Sequence, residues 1–447
     1  MKILLANINY LSYLRDYEIF PIFKRLILTS FSESLIYSSI NLMILSSLTP
    51  ESYKTEIKDR CRYQDFDFDK DYDLVGLSCT TDSATEAYKI ADEFRRRGKK
   101  VVLGGWHPSA LPEEAKQHAD AVVIGEAELT WPRLLDDWEK RELKPFYRPD
   151  KLIDPHLIPP ARHNIKSEKT IVESIQASRG CPVGCEFCSI QNIEGSYYRS
   201  RPICQLIDEM KSIRTKNIFF ADSSLDINPG YTKNLFKEMK ELDKKFTCFG
   251  NINVLGRDEE LLKLASEAGC LRWLIGFESF NQDNIDGIGK KTNKVKEYRQ
   301  SVRKIKEYDM LVVGMFMFGL DNDTVDVFDA TVNAMVELDI DSAFFNILTP
   351  FPGTALYRRL DSEKRILSKD WSNYLTRCIN RSVNFQPKYM SPSQLADGAV
   401  QAARKYYSIA NMARKCCNSK NLNFPHFIYK MTSNVSSFLF YNDFIRY

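Results

Sequence analysis

No run in this 447-residue chain reaches the roughly 20 apolar residues that a bilayer-spanning helix needs. The opening Met1-Lys2-Ile3-Leu4-Leu5-Ala6-Asn7 is short and soon meets polar residues, so a secretory signal is not expected. An excess of one charge is also missing: 62 Lys and Arg stand against 59 Asp and Glu. Nothing in that balance calls for nucleic acid or an acidic partner. The 11 cysteines are too dilute for a disulfide scaffold, which points to a reducing cytoplasm. A chain this long has room for two or three domains and ample core.

What is present concentrates in Ser178-Arg179-Gly180-Cys181-Pro182-Val183-Gly184-Cys185-Glu186-Phe187-Cys188. Cys181, Cys185 and Cys188 stand at C-x3-C-x2-C in a tight loop where Gly180 and Gly184 permit sharp turns. Thr170 to Ala177, just upstream, reads as a short strand. Thiolates are soft ligands that suit iron–sulfur clusters and zinc. Structural zinc takes four protein ligands, commonly two C-x2-C pairs or cysteines with histidine. Here there is neither a second pair nor a nearby histidine. Three cysteines suit a four-iron cluster with one iron open to an outside ligand. A zinc loop and an electron-transfer cluster are the alternatives.

With Phe187 before its last cysteine, the motif resembles that of the radical S-adenosylmethionine (SAM) superfamily. The resemblance implies that the open iron chelates the amino and carboxylate groups of SAM. Reductive cleavage would then yield a 5′-deoxyadenosyl radical that takes a hydrogen atom from substrate. It also implies an electron donor such as flavodoxin or ferredoxin.

Upstream, strands are expected at Lys2 to Ala6, Asp73 to Cys79, Lys100 to Leu103 and Ala121 to Ile124. A helix from about Ser83 to Arg97 aligns Ala84, Ala87, Tyr88, Ala91 and Phe94 on one face, with Gly98 as its stop. Residues from about Leu11 to Leu48 show no clear pattern. The alternation means right-handed βαβ units and a doubly wound parallel, Rossmann-like sheet over 1–145. Ligands of such sheets lie at the carboxyl ends of strands, where Ser78-Cys79-Thr80-Thr81, Gly104-Gly105 and Gly125-Glu126 fall. Small residues there let a large, flat ligand approach the backbone. Ahead of a cluster domain, this resembles the cobalamin-binding domain that precedes many radical SAM enzymes. It implies cobalamin contacts from Ser78, Thr80, Gly104, Gly105, His107, Gly125 and Glu126. The Asp-x-His-x-x-Gly signature whose histidine ligates cobalt is absent. His107 therefore reads as a side contact or as part of a loop that opens the next helix. A degenerate Rossmann-like domain that packs on the barrel is the other reading.

Charged, Pro-rich residues from about Glu139 to Ser167 read as a linker, with the domain boundary drawn at 146–167. Further strands are expected at Asn217 to Ala221, Thr247 to Val254, Leu271 to Phe277, Leu311 to Phe318 and Ser342 to Leu348. Helices are expected around Ile203 to Ile213, Glu259 to Ala268, Lys294 to Tyr308 and Thr324 to Leu338. With the strand before the cysteines, 168–360 makes a partial (β/α)6 barrel like that of the radical SAM family. Barrel sites lie at the carboxyl ends of the strands. The resemblance places Asp222 and Ser223 near the SAM amino group and Glu278 and Ser279, of Gly-Phe-Glu-Ser, at the ribose hydroxyls. It places Gly314 and Gly319 in backbone contact with adenine. Taken singly, each also reads as ordinary turn chemistry.

The tail, 361–447, is basic, with 13 Lys and Arg against five Asp and Glu. Its Trp371, Tyr374, Phe385, Pro387, Met390 and Ser391 resemble the tail of cobalamin-dependent enzymes acting on hopanoids and bacteriochlorophylls. That implies a helical cap over the barrel, with a helix at Ala399 to Ala413. Phe424 to Tyr447, rich in Phe and Tyr, reads as aromatic packing on the barrel or as peripheral contact with a membrane or lipid. Cysteines 61, 79, 204, 248, 270, 378, 416 and 417 read mostly as small buried hydrophobes.

The chain is thus expected to be an α/β, cytoplasmic, cobalamin-dependent radical SAM enzyme that binds a [4Fe-4S] cluster. The expected reaction is methylation of an unactivated carbon of a small-molecule, lipid or tetrapyrrole substrate. Radical oxidation, cyclisation or rearrangement is the alternative chemistry, and a non-catalytic cobalamin or cluster sensor is the alternative class. No residue selects the substrate.

Overall fold

The computed structural model describes residues 1–9, 39–165 and 172–417, and in the tail 427, 430–432, 434, 435 and 438. The first sheet is built from β1 (Lys2–Ile8), β2 (Lys54–Cys61), β3 (Leu74–Cys79), β4 (Lys100–Gly104), β5 (Ala121–Val123) and β6 (Phe146–Tyr147). Its order is β2-β1-β3-β4-β5-β6, with every pair parallel. Helices α1 (Ile40–Leu48), α2 (Ala84–Arg96), α3 (Trp106–Ala110), α4 (Pro112–Gln117) and α5 (Trp131–Glu139) accompany it. Side chains alternate between its faces: Leu4, Val75 and Val101 pack with Phe94 of α2, while Ile3, Leu5 and Leu74 pack with Leu42 of α1 and Trp131 of α5. Burial on both faces explains why β1, β3 and β4 read as apolar runs. Strand β2 escaped that reading because it is a half-exposed edge strand of sequence Lys-Thr-Glu-Ile-Lys-Asp-Arg-Cys. From β1 the chain passes to one side as β2 and to the other as β3. That reversal opens a ligand crevice at the strands' carboxyl ends.

The chain then forms β7 (Val172–Ile175), the antiparallel pair β8 (Ser178–Arg179) and β9 (Arg199–Ser200), and α6 (Ile190–Glu194) between them. Strands β10 (Asn217–Phe220), β11 (Lys245–Gly250), β12 (Cys270–Glu278), β13 (Leu311–Phe318) and β14 (Ser342–Ile347) follow β7 in strict chain order, all parallel. Between them run α7 (Ile203–Ser212), α8 (Pro229–Met239), α9 (Ile252–Arg257), α10 (Glu259–Glu267), α11 (Gln282–Gly287), α12 (Tyr298–Glu307) and α13 (Val327–Glu337). Alternate residues such as Ile275, Phe277 and Phe316 join the helices in the main core. Phe219, Leu274 and Val313 form a separate inner cluster.

The expected strand Thr247 to Val254 ends early, at Gly250. A Cβ there would lie 2.6 Å from the Trp273 ring, and the next residue, Asn251, is held by Ser224 and Asp226. The apolar run after it is α9. Helix α8 was not anticipated; the Asn228 side chain accepts from Tyr231 N at 3.2 Å and Pro229 takes its first turn.

After α14 (Ala355–Ser362), the tail has two helices in place of Ala399 to Ala413: α15 (Pro392–Tyr406) and α16 (Ile409–Cys417). Ser391 and Gln394 form a capping box at the start of α15. The Tyr407 hydroxyl donates to Ala343 O (2.7 Å) and accepts from Ala343 N (2.8 Å), fastening this helix pair to β14. Most of Phe424 to Tyr447, and the side chains of Cys416 and Cys417, lie outside the described residues. Of the other cysteines, 61, 79, 248, 270 and 378 are buried and Cys204 is exposed.

Candidate functional site

The cysteine loop starts at Gly180, whose φ of 80° lies in the left-handed region. A Cβ at this position would collide with the Tyr197 carbonyl oxygen. Gly180 N donates to Glu194 Oε2 at 3.0 Å, and Cys181 N donates to Gly195 O at 3.3 Å. On the far side, Glu186 N donates to Ile288 O, and the Glu186 carboxylate pairs with Arg359 of α14 at 2.7 Å. Cys181, Cys185 and Cys188 are half-buried on this pinned loop, and Phe187 packs partly on the barrel core. Burial pushes all three thiols up, Cys185 to about 12 and Cys188 to about 11, while Lys290 pulls them down. Ligation would release those protons.

Lys290 was missed in the sequence because Gly289-Lys290-Lys291-Thr292 reads as a solvated turn. Its Nζ donates to Glu278 Oε1 (2.6 Å) and Gly276 O (2.8 Å). Burial opposes its charge, but Glu278 and the thiols hold the ammonium above its ordinary range. Glu278 has φ 62°, unusual without glycine, at a register shift between Gly276 and Glu278 in the pairing of β12 with β13. A Cβ on Gly276 would strike both Glu278 Oε1 and Lys290 Nζ. Gly-Phe-Glu-Ser therefore makes a bulge in which the glycine vacates room for an ion pair. Such strain persists where the surroundings over-determine it. Asn293 bonds Gly276 O at 3.0 Å, Tyr298 bonds Phe277 O at 3.1 Å, and Ser279 N donates to Phe277 O.

Asp222 is fully buried beneath the loop, accepting from Ala177 N (3.1 Å), Ser178 N and Ser178 Oγ. Burial pushes it up to about 7. Its oxygens brace the strand that leads to the cysteines. Ser223, half-buried, reaches Glu194 at 3.4 Å. The gap at Gly314 faces Phe316 and Ile340, and that at Gly319 (φ 96°) is filled by Leu395 and Phe385 of the tail. These two glycines admit protein side chains.

In the first sheet, Gly105 (φ 98°) lets β4 end close to β3: a Cβ would sit 2.8 Å from Cys79 O and Ser78 Oγ. Thr80 bonds Asp82 and Ser83 at the start of the next turn. A Cβ on Gly104, at the end of β4, would meet Val123 in ordinary contact at 3.7 Å, and Gly125 N donates to Ser109 Oγ at 2.9 Å. His107 lies in the first turn of α3, as its reading as part of a loop that opens the next helix expects. It is fully buried, with both ring nitrogens engaged, by Thr81 Oγ1 (3.3 Å) and Glu114 (3.1 Å), and with Trp371 against the ring. Trp371 Nε1 donates to the same Glu114 at 3.0 Å, which ties the tail to this domain. The Glu126 carboxylate accepts from Arg179, Arg199 and Ile153 N.

Among the described residues, no three or more His, Cys, Asp or Glu group closely enough for a single ion. A four-iron cluster needs no such convergence, since each thiolate holds its own iron. Three half-buried cysteines on one pinned loop, within the field of the Lys290 ammonium, offer the soft thiolate set that an iron–sulfur cluster takes.

Family models agree: a radical SAM superfamily model matches residues 175–335, a B12 binding domain model 68–135, and a domain of unknown function (DUF4070) 354–434. The chain is 35% identical to the bacteriochlorophyllide d C-8(2)-methyltransferase of Chlorobaculum tepidum, over 77% of this chain and 81% of that one. It is 29% identical to the C-12(1)-methyltransferase of the same organism, over 87% and 86%. The fold matches that of the radical SAM methyltransferase TsrM of Kitasatospora setae, solved with tryptophan and a SAM analog. The TM-score is 0.71 at 17% identity, covering 92% of this chain and 90% of that one. The cofactors are a [4Fe-4S] cluster, SAM and cobalamin. This is an enzyme, and the chain belongs to the radical SAM superfamily, in the class that carries a B12-binding domain.

Proposed function

We propose that the enzyme transfers a methyl group to an unactivated carbon of a hydrophobic, ring-bearing small molecule, with a tetrapyrrole as the first candidate. The observation that carries this reading is the direct joining of the two cofactor-binding edges. Glu126, in the loop after β5, is bonded by Arg179 and Arg199, which flank the cysteine loop. The identity to bacteriochlorophyllide methyltransferases supports the substrate class. A lipid is the second candidate, on the aromatic tail.

When bound, the cluster, SAM and cobalamin supply a substrate radical and a methyl donor. The chain's own part is positional. Cys181, Cys185 and Cys188 hold the iron. Glu278 and Lys290 stand beside them to meet the ribose hydroxyls and the carboxylate of SAM, with Phe187, Ser223, Ser279, Gly314 and Gly319 around the same ligand. Asp222 and Ser178 keep the loop in register. Ser78, Thr80, Gly104, Gly105 and Gly125 line the approach for cobalamin. The division of work follows 1–145, 146–167, 168–360 and 361–447, with β6 (Phe146–Tyr147) carried over from the linker into the first sheet. A flavodoxin- or ferredoxin-like donor in the cytoplasm supplies the electron. No helix among the described residues is long and apolar enough to cross a membrane, so contact with one would be peripheral, through the tail.

The test is anaerobic reconstitution with iron, sulfide and cobalamin, then SAM carrying a deuterated methyl group, reductant and a bacteriochlorophyllide. About four irons and one cobalt per chain, deoxyadenosine release and a deuteromethylated product are expected. Deoxyadenosine with an oxidised or cyclised product would move the reading to radical chemistry without methyl transfer. Cofactor binding without any SAM cleavage would make the chain a sensor.

A further inference from the structure

The β8–β9 pair brackets the cluster loop, since Arg179 stands two residues before Cys181 and pairs across the ladder with Arg199. Both guanidinium groups reach the first domain. Arg179 donates to Glu126 Oε1 at 3.1 Å and to Glu128, and Arg199 donates to Glu126 Oε1 at 2.7 Å and to Oε2 at 3.2 Å. Arg199 also donates to Ile153 O (2.7 Å) and to Glu194 O (2.6 Å), at the end of α6. All four side chains are buried, and two positive charges meet two negative ones. A second junction lies close by: a Cβ on Gly353 would approach Asn192 of α6 at 3.0 Å and Ala110 of α3 at 3.4 Å.

Buried ion pairs are a poor means of holding two surfaces together, because desolvation offsets most of their attraction and apolar residues serve as well. What two-pronged guanidinium–carboxylate pairs add is fixed geometry. Here they fix the loop that follows β5 against the β8–β9 pair at the base of the cysteine loop. We propose that Glu126 and Glu128 are positioning residues which, through Arg179 and Arg199, set the separation and orientation of the cluster and cobalamin. The proposal rests on the reading that both groups act in one reaction.

The full-length chain, reconstituted with iron, sulfide and cobalamin, is compared with Glu126→Gln, Glu128→Gln and Arg179→Lys. Iron and cobalt contents are measured first. Electron paramagnetic resonance then reads the magnetic interaction between Co(II) and the reduced cluster, which depends on their distance. In Glu126→Gln, iron and cobalt are expected at parental levels with an altered interaction and deoxyadenosine release lower by roughly 10- to 100-fold. Arg179→Lys, which keeps the charge but loses the fork, is expected to show the same change. An unaltered interaction in all three variants overturns the proposal. So does loss of both metals from both glutamate variants, which would make the cluster of charges a fold element only. A parent chain that takes up iron but no cobalt would overturn the underlying two-cofactor reading instead.

Discussion

Replacing Lys290 by Met leaves Glu278 as a buried carboxylate with its ion-pair partner gone. The pair is nearly dry, with the two side chains 12% and 8% exposed and 2.6 Å between charged atoms. Removing one partner of a buried pair costs about 3–5 kcal/mol, and the residual exposure here reduces that to about 2–4 kcal/mol. The lost bond to Gly276 O adds little, because Asn293 still donates to that carbonyl. Changing Glu278 to Gln in the same chain removes the stranded charge, so the double variant should return to within about 1.5 kcal/mol of the parent. Urea unfolding of the metal-free chain at neutral pH measures all four corners of the cycle. A coupling below about 0.5 kcal/mol would refute the argument that the bulge exists to house an ion pair. SAM affinity should fall in both single variants and stay low in the double, since both side chains are assigned to that ligand.

Cys185→Ala is expected to lose the cluster and, with it, deoxyadenosine release; iron analysis beside product analysis checks both. Burial holds Asp222 at about 7, against about 3.9 in an unfolded chain, so the fold keeps a proton that the unfolded state has lost. That contribution is complete below about pH 4 and declines by about 4 kcal/mol as pH rises to about 7. Asp222→Asn should therefore gain on the parent between these limits in urea titrations at several pH values, and a constant difference would reject the assignment. Gly105→Ala puts a Cβ 2.8 Å from Cys79 O and should cost more than about 2 kcal/mol along with cobalt binding. Gly98→Ala, with φ 76° and nothing within 4 Å, should cost only about 1 kcal/mol and keep cobalt, so equal thermal shifts would count against a steric cause.

The parts of the chain that can be read locally are those whose chemistry is local. The three cysteines and two glycines of the loop specify their own turn, and two-sided burial turns β1, β3, β4 and β13 into apolar runs. Edge strand β2 fails that criterion because half its surface meets water, so its charged residues look like a loop. At Gly250 the apolar pattern continues while the backbone turns, and only the distant Trp273 ring marks the place. His107 and Glu126 follow strand ends, where ligands usually lie. Glu114, Trp371, Arg179 and Arg199 claim them from 7 to 264 residues away. Lys290 acquires a role only when the bulge at Gly276 brings Glu278 to it.

The fastening of Tyr407 to Ala343, and the seating of Leu395 in the gap at Gly319, bear on how such a chain diversifies. Strand β14 is followed by no long covering helix of its own before residue 361, and α15 lies over it as the sixth wall of the barrel. The tail is therefore not a cassette that recombination could exchange at its sequence boundary. A new tail must bring residues that fit Gly319 and cap Ala343, or β14 loses its cover. Sequence change in the tail is then confined to substitution within a retained wall, because the residues at Gly319 and Ala343 are also structural supports.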